Sequence, residues 1–389
     1  MKAKDDRPPP LGPNDVHLAT HRFQAARLTL ARELRALTRA ELAERIGKTP
    51  SAISQFEVGR TRPDAKTLAA IALVLGMPIG FFARSVAAPI SVDACHFRTL
   101  RSASQRERRR LISMGTLLCE LVDSLEEHVE FTAEQVTRVT RPVRSAEDIE
   151  QCVNEVRKQW GLGLGPIPNV TKLLQSQGIL VCTVPRTCRE VDAFSAWYRE
   201  RPLIFLVAEH GASRTRFDAT HELGHLVMHA DAAPGSQEIE REAHRFAGAF
   251  LVPRESFLAE CPRWLNWGHF HELKARWKVS VAALVRRAFD LGVLSDASFR
   301  RACIHLRQQG LNEPFEPASE PPDFLSKAVR LLEGDLPLEQ LAAAQGLSAA
   351  DLRSLVEGDH LAYEPSFAEP ADDDQQSLFG ELDGRASKG

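Results

Sequence analysis

The sequence of 389 residues predicts a mainly α-helical protein with a small β-sheet: an N-terminal helical bundle, a central α+β domain and a helical C-terminal region. Apolar residues recur at helical spacing through most of the chain. Three short runs rich in β-branched and aromatic residues lie between residues 178 and 208. The expected divisions are a disordered segment at 1–16, a helical bundle at 17–85, a helical connector at 86–149, an α+β domain at 150–315, a small helical cluster at 316–360 and a disordered acidic tail at 361–389.

Local start and stop signals divide the N-terminal bundle into helices. A first helix is expected over residues 23–34. Thr38 and Glu41 have the spacing of a capping box, which predicts that a second helix starts directly after Thr38. Thr49 is suited to cap a third helix, with Pro50 at its first position, where proline is favoured. Two more helical segments follow, so the sequence predicts a five-segment bundle.

Residues 37–47 and 51–63 of this bundle closely resemble the xenobiotic-response-element class of helix-turn-helix regulators. In that class a glutamine commonly follows the threonine that caps the second helix, whereas this chain has Arg39. The resemblance implies that the bundle binds a double-stranded DNA operator. It also implies a homodimer, because a single module reads few base pairs.

The charge of the bundle agrees with DNA binding. Residues 20–85 carry eleven basic and five acidic side chains, a net charge of +6 in a chain whose net charge is −3. The residues expected at the DNA are Arg39, Thr49, Ser51, Ser54, Gln55, Arg60 and Arg62. The two serines and the glutamine would face base edges, and the arginines would contact phosphates. The alternative is a helical interaction module with a solvated basic face.

The connector is basic and then apolar. Six arginines lie between positions 98 and 110 with Glu107 as the one acid among them. They either extend the DNA-binding surface or form a solvated linker face. An apolar stripe at helical spacing follows, from Leu111 to Leu125. This stripe belongs either to the core of the protein or to a dimer contact.

Residues 221–225, His-Glu-Leu-Gly-His, carry the clearest chemical signal of the chain. On a helix His221 and His225 lie one turn apart on one face, so their imidazoles can bind one zinc ion. Glu222 would lie beside the open position of the metal, where a carboxylate acts as general base. The two imidazoles lie in an apolar stripe and need polar partners, which a metal supplies. Gly224 indicates that another chain segment or a ligand approaches closely.

A catalytic zinc site needs a third protein ligand. His229 is about 12 Å from His221 along a helix axis, too far for one ion to join all three histidines, so a capping or core role is expected for it. On the next helix, expected over 237–252, Glu240 and Glu242 flank the apolar stripe about equally. Small alanines lie on the same side of this helix as Glu240, which favours Glu240 as the ligand. His244 lies one turn after Glu240 and also favours it, because His244 could hydrogen-bond a ligand.

Together with residues 240–247 and the Leu-Val-Pro at 251–253, the motif resembles the ImmA/IrrE family of metallopeptidases. This resemblance covers about residues 150–310 and implies a zincin-like fold, in which two helices supply the zinc ligands. Carried over, Glu240 is the third ligand. His244 then stands where the family has Asn or Asp.

The three short runs at 178–184, 191–198 and 202–208 predict strands of a small antiparallel sheet before the motif helix. An extended substrate peptide could add to an edge of such a sheet. Tyr198 could donate a hydrogen bond to a developing oxyanion, but a strand-end tyrosine more often only packs.

The sequence therefore predicts a DNA-binding regulator with a zinc-dependent endopeptidase domain. The family resemblance implies that this domain cleaves a regulatory protein such as a repressor. A repressor whose peptidase-like domain senses a ligand, a partner or the metal without cleaving is the alternative. Imidazole and carboxylate ligands also suit Mn²⁺ and Fe²⁺.

The same sequence predicts a cytoplasmic protein without a membrane segment. Its seven cysteines include no Cys-x-x-Cys pair and are expected to be reduced. The N-terminus lacks the apolar core of a signal peptide. No apolar run approaches the roughly 20 residues that a membrane span needs.

Overall fold

A computed structural model describes residues 15–86, 95–96, 104–139, 141, 143–185, 191–207, 211–230, 236–309 and 314–358. The described residues are mainly helical with one small sheet, which confirms the predicted fold class. Most of the two tails predicted to be disordered, and two of the connector arginines, Arg98 and Arg101, lie outside the described residues.

The N-terminal bundle begins with a helix that the sequence did not predict. Its elements are α1 (Val16–His21), α2 (Ala25–Leu34), α3 (Arg39–Arg45), α4 (Pro50–Glu57), α5 (Ala65–Leu75) and a 3-10 helix (Ile79–Ala83). The capping box forms, since Thr38 Oγ1 accepts from Glu41 N at 3.1 Å and Glu41 Oε2 accepts from Thr38 N at 2.6 Å. Helix α1 lacks such a signal, because its N-terminus has no side-chain cap hydrogen bond. Its Ala19 side chain is buried in the hydrophobic core, and Arg62 donates a hydrogen bond to His21 O at its end.

The described part of the connector is dominated by α6 (Gln105–Glu126). Its apolar stripe from Leu111 to Leu125 is buried, which assigns this stripe to the core of the chain itself. Arg27 of α2 and Glu120 of α6 form a buried two-pronged ion pair, with distances of 2.8 Å and 2.9 Å between nitrogen and oxygen atoms. The connector is therefore attached to the N-terminal bundle by apolar packing and by buried charges.

The central domain combines the sheet with eight of the helices. The helices are α7 (Ala146–Gln159), α8 (Val170–Ser176), α9 (Ala212–Met228), α10 (Gln237–Leu251), α11 (Arg254–Glu260), α12 (Trp267–Trp277), α13 (Val281–Asp290) and α14 (Asp296–Gln309). The strands are β1 (Cys95–His96), β2 (Leu180–Val184), β3 (Ala193–Tyr198) and β4 (Arg201–Val207). Three further helices follow: α15 (Phe324–Leu332), α16 (Leu338–Gln345) and α17 (Ala349–Glu357).

The sheet is mixed, so the prediction of an antiparallel sheet was wrong in part. The strand order is β1-β3-β4-β2; β4 pairs antiparallel with β3 but parallel with β2, and β1 pairs antiparallel with β3. β3 and β4 form a hairpin, and β2 lies on the other side of β4. Apolar runs of this length mark strands but do not fix their order or direction.

The sheet separates two hydrophobic cores. Along β4, Leu203 and Phe205 face one core, while Ile204 and Leu206 face the other. The first, here called the shared core, also contains buried residues of the N-terminal bundle, of α6 and of α15–α17. The second core is formed by the helices of the central domain. The N-terminal bundle and one face of the sheet therefore share one interior.

Within the described residues, we find no helix with the length and apolar character required to cross a bilayer.

Candidate metal centre and DNA-binding surface

Helices α9 and α10 bring together the side chains of His221, His225 and Glu240, whose candidate ligand atoms all lie within 4.8 Å of one another. The two Nε2 atoms of the histidines are 3.1 Å apart. Glu240 Oε2 is 3.3 Å from His221 Nε2, and Glu240 Oε1 is 3.6 Å from His225 Nε2. Two ring nitrogens and a carboxylate thus point at one small volume, each from a rigid helix.

The close contact of the two helices depends on Gly224. A Cβ atom at this position would lie 3.1 Å from Phe246 Cδ1 on α10, tighter than ordinary van der Waals contact. Phe246 is fully buried. The close approach that the sequence indicated at Gly224 is therefore that of the Phe246 side chain, and it sets the spacing at which Glu240 meets the histidines.

The three residues fit a metal ion. Glu240 is buried, and its Oε1 atom makes no hydrogen bond. Burial alone would raise the pKa of Glu240, but the adjacent His221 and His225 rings hold it well below its usual range, so that this carboxylate stays charged. Two imidazoles and one carboxylate form a donor set found in catalytic zinc sites, which leave one position open. The His221 side chain is 18% exposed, so the cluster can be reached from solvent.

Glu222 lies next to this cluster and is held by a residue of the sheet. Ser195 of β3, which is fully buried, donates a hydrogen bond from Oγ to Glu222 Oε2 at 2.6 Å. Burial raises the pKa of Glu222 to about 7, against the lowering effects of His221 and Ser195. A carboxyl group with this pKa can both accept and release a proton near neutral pH. The sequence does not indicate this role of Ser195, because the partner Glu222 is 27 positions away.

His229, which was not expected to bind the metal, and Glu242, the less favoured candidate for the third ligand, contact each other. His229 is the C-cap residue of α9, is 4% exposed, and has its Nε2 atom 2.8 Å from Glu242 Oε2. Burial lowers the pKa of His229 to about 4. Its Nδ1 atom lies 3.2 Å from Nδ1 of His225. Glu242 therefore approaches the cluster through His229, whereas Glu240 faces the two histidines directly.

His244, expected to hydrogen-bond a ligand, lies beside the cluster. Its ring centroid is 4.6 Å from that of Phe217 and 6.0 Å from that of His221. The aromatic contact with Phe217 fixes the ring near the first histidine of the motif. Its role as a hydrogen-bond partner of Glu240 stays a prediction.

Tyr198 faces away from the cluster. Its hydroxyl donates to Asp123 Oδ2 of α6 at 2.7 Å, and the residue is buried in the shared core. Burial and the neighbouring Asp123 raise the pKa of this phenol. Tyr198 thus ties β3 to the connector helix, in line with the packing role that the sequence favoured over oxyanion binding.

The edge of β3 at Ser195 is paired with a segment of the same chain. In β1, Cys95 pairs with Ala196, and His96 pairs with Ser195. The expected docking of an extended peptide at a sheet edge would, at these two residues of β3, meet a strand already in place.

Two acids from the segment after α14 anchor the start of α9. Glu316 accepts hydrogen bonds from Ser213 N and Oγ, both at 2.8 Å. Glu320 forms a buried ion pair with Arg216 and accepts from Val170 N at 2.7 Å. A carboxylate at a helix N-terminus also interacts favourably with the helix dipole. Neither acid could be assigned to this role from the sequence, because both are about 100 positions away from the residues they contact on α9.

In the N-terminal bundle, α4 presents the predicted base-reading side chains outward. Ser51 and Gln55 are exposed and Ser54 is half-buried, while Ile53 and Phe56 are buried beneath them. Thr49 Oγ1 accepts from Ala52 N at 3.2 Å and so caps the helix. The three predicted base-reading side chains therefore lie on the outer face of α4, and their contact with DNA stays a prediction.

The predicted phosphate-contacting arginines differ in their surroundings. Arg39 donates to Glu57 Oε2 at 2.6 Å, although half of its side chain is exposed. Glu57 also pairs with the buried Arg32 of α2, so this carboxylate joins α2, α3 and α4. Arg62 donates to His21 O at 2.8 Å, and Arg60 is exposed. Arg39 and Arg62 thus already have protein partners.

Two of the described connector arginines contact the bundle. Arg106 contacts both carboxylate oxygens of Glu41 at 3.2 Å, and Arg109 lies 3.8 Å from Glu33. These contacts attach the start of α6 to α2 and to the residues around α3. An additional contact of these arginines with DNA stays a prediction.

Comparison with protein families identifies two domains. Residues 28–82 match the family model of a helix-turn-helix domain, and residues 174–289 match that of an IrrE N-terminal-like domain. No curated protein matches the chain. The two family matches confirm both resemblances drawn from the sequence.

Proposed function

We propose that this chain, which combines a DNA-binding helix-turn-helix domain with an IrrE/ImmA-like peptidase domain, is a transcription regulator whose second domain is a zinc-dependent endopeptidase. Its substrate would be a regulatory protein such as a repressor. The observation that carries the proposal is the convergence of His221, His225 and Glu240 beside the buried Glu222.

In this proposal His221, His225 and Glu240 hold the metal. When bound, zinc polarises the scissile carbonyl and lowers the pKa of a water molecule. Glu222 takes a proton from the attacking water as its oxygen bonds to the carbonyl carbon, and passes this proton to the amine nitrogen as the C–N bond breaks. Ser195 fixes one oxygen of the Glu222 carboxylate, so the general base keeps one orientation through both transfers.

The burial of Glu222 supports this role. A pKa of about 7 gives a mixture of charged and neutral forms at neutral pH, which suits a group that first accepts and then donates a proton. An exposed glutamate would be a weaker base, since the pKa of a free glutamate is about 4.3.

For the N-terminal bundle we propose binding to a double-stranded operator as a homodimer. Ser51, Ser54 and Gln55 would read base edges, while Arg39, Arg60 and Arg62 would contact phosphates. The outward face of α4 supports the first assignment. The ion pair between Arg39 and Glu57 holds that arginine beside the helix, from which it could reach a phosphate.

A repressor that senses a ligand, a partner or the metal without cleaving is the second candidate. Two observations favour it: β1 already pairs with β3 at Ser195, and the shared core joins the DNA-binding bundle to the sheet. In this case metal binding changes the affinity for DNA, and no substrate is cut.

The deciding experiment incubates the full chain with candidate proteins encoded near its gene, with and without a metal chelator. Wild type is compared with Glu222→Gln, which should still bind zinc, and with Glu238→Gln as a matched control. Glu238 is an exposed glutamate on α10. We expect a fragment that disappears with chelator and with Glu222→Gln but persists with Glu238→Gln. Cleavage by Glu222→Gln at the wild-type rate would contradict the general-base assignment.

The DNA-binding half is tested by fluorescence anisotropy with fragments from the upstream region of the gene. Gln55→Ala should reduce discrimination between sequences. Arg60→Ala should weaken binding to all sequences and lower the slope of log K against log salt by about 1. If both variants left affinity and specificity unchanged, the assigned face of α4 would be wrong. A zinc-dependent change in DNA affinity without any cleavage would favour the second candidate.

A further inference from the structure

Beside the candidate metal cluster, three side chains form a line of ring nitrogens and a carboxylate. It runs from His225 to His229 across 3.2 Å between their Nδ1 atoms, and from His229 Nε2 to Glu242 Oε2 across 2.8 Å. His225 and His229 are almost completely buried, and the Glu242 side chain is 18% exposed. The line thus begins at a candidate ligand and ends near solvent.

The chemistry of imidazole permits one protonation pattern along this line when a metal is bound. Nε2 of His225 faces His221 and Glu240, so this atom is the one that would bind the metal and must carry no proton. Its proton is then on Nδ1, and it is donated to Nδ1 of His229. His229 must accept there, so its own proton is on Nε2 and is donated to Glu242. Each donor meets an acceptor, and the tautomer of both rings is determined.

We propose that His229 and Glu242 are positioning residues of the metal site: they orient the His225 ring, fix its tautomer and increase its strength as a ligand. The inference rests on the metal site of the proposed function and deepens it. Hydrogen-bond partners of metal-binding histidines commonly change metal affinity by about 10–100-fold when they are mutated. Neither residue needs to contact the metal, and the geometry gives Glu242 a role distinct from that of Glu240.

A purely structural role for the same residues makes different predictions. His229 ends α9, and its N–H bonds to His225 O, so a substitution could destabilise the helix end without affecting the metal. Asparagine can place its side-chain oxygen near the position of an imidazole Nδ1 and so accept a hydrogen bond from His225. Leucine fills a similar space but accepts none. The two substitutions separate a hydrogen-bonding role from a packing role.

The test measures zinc affinity of the metal-stripped full chain by competition with a chromophoric chelator, and the visible spectrum of the Co²⁺-loaded protein. The variants are His229→Leu, His229→Asn, Glu242→Ala and, as matched control, Glu238→Ala on the same helix. We expect zinc Kd to rise about 10–100-fold in His229→Leu and Glu242→Ala, to stay within about threefold of wild type in His229→Asn, and to be unchanged in Glu238→Ala. The Co²⁺ spectrum should change in His229→Leu and Glu242→Ala only.

Equal zinc affinities of wild type, His229→Leu and Glu242→Ala would overturn the proposal. Equal losses in both His229 variants, with Glu242→Ala unaffected, would do so as well, because they would indicate packing alone. Glu242 is near the surface, so its variant tests the proposal even where a buried substitution at His229 impairs folding. Failure of the proposed function would give different results. The zinc affinity of the chain would then not depend on Glu240, or wild type would bind zinc and cleave no protein.

Discussion

The buried ion pair between Arg27 and Glu120 offers a sharp test of how the DNA-binding bundle is joined to the connector. The Arg27 side chain is fully buried and that of Glu120 is 6% exposed. Arg27 also donates to Ser85 O at 2.5 Å, and its guanidinium lies 4.9 Å from the centroid of the Phe81 ring. Replacing Glu120 with Leu leaves this guanidinium with carbonyl and aromatic neighbours but without a carboxylate.

The expected loss follows from the burial of the pair. Removing one partner of a buried pair costs about 3–5 kcal/mol, because an uncompensated charge stays in the interior. The remaining contacts of Arg27 favour the lower end, about 3 kcal/mol for Glu120→Leu. The double variant Arg27→Met/Glu120→Leu removes both charges and should come within about 1 kcal/mol of wild type. The two substitutions are therefore expected to be strongly non-additive.

Urea unfolding followed by two probes measures this effect. All five tryptophans lie between residues 160 and 277, so their fluorescence reports the central domain, whereas far-UV circular dichroism reports all helices. If the free energy of unfolding falls by about 2 kcal/mol per molar urea, a loss of about 3 kcal/mol in this free energy lowers the urea midpoint by about 1.5 M. We expect Glu120→Leu to lower both midpoints, because the bundle, the connector helix and the sheet share one interior. A double variant as unstable as the sum of both single variants would refute the reasoning.

Three further predictions concern single positions. Gly224→Ala brings a Cβ within 3.1 Å of Phe246 and should reduce zinc affinity in a chelator competition, despite a gain of about 1 kcal/mol in helix propensity; unchanged affinity would contradict the need for close helix contact. Lys278 has a φ of 57°, and its Nζ donates to Pro168 O at 2.9 Å, so both Lys278→Gly and Lys278→Ala lose this hydrogen bond; the free energy of unfolding in urea should then be higher in the glycine variant than in the alanine variant by about 1 kcal/mol. Burial raises the thiol pKa of Cys152 and of Cys182 to about 12, so mass spectrometry should find both unalkylated by iodoacetamide at pH 8 until urea is added; rapid native labelling would contradict their burial.

Structural features that depend on residues within about one turn of helix could be predicted from the sequence. The capping box of Thr38 and Glu41 and the end of α10 before Pro253 depend on residues a few positions apart, and the structure has both. The same holds for the spacing of His221 and His225. The choice of Glu240 over Glu242 used the size of neighbouring side chains, and the structure places Glu240 at the histidines.

Contacts between distant segments could not be predicted. Ser213 and Glu316 are 103 positions apart, and no local pattern indicates that the acid caps α9. The parallel pairing of β2 with β4 and the position of β1 depend on chain direction, which the apolar pattern of a strand does not encode. The contact of His229 with Glu242 joins two helices whose relative rotation is set by packing. Pairwise contacts of this kind are decided by tertiary structure.

The common interior of the bundle, the connector and the sheet limits how the protein can be divided. A fragment trimmed to residues 174–289 would keep Phe194 and Phe205 but lose the helices that cover these rings, so their apolar faces would meet water. Exposed patches of this kind promote self-association. Neither half can therefore be excised on its own, and a fragment of either one has to include the flanking helices that cover its apolar surface.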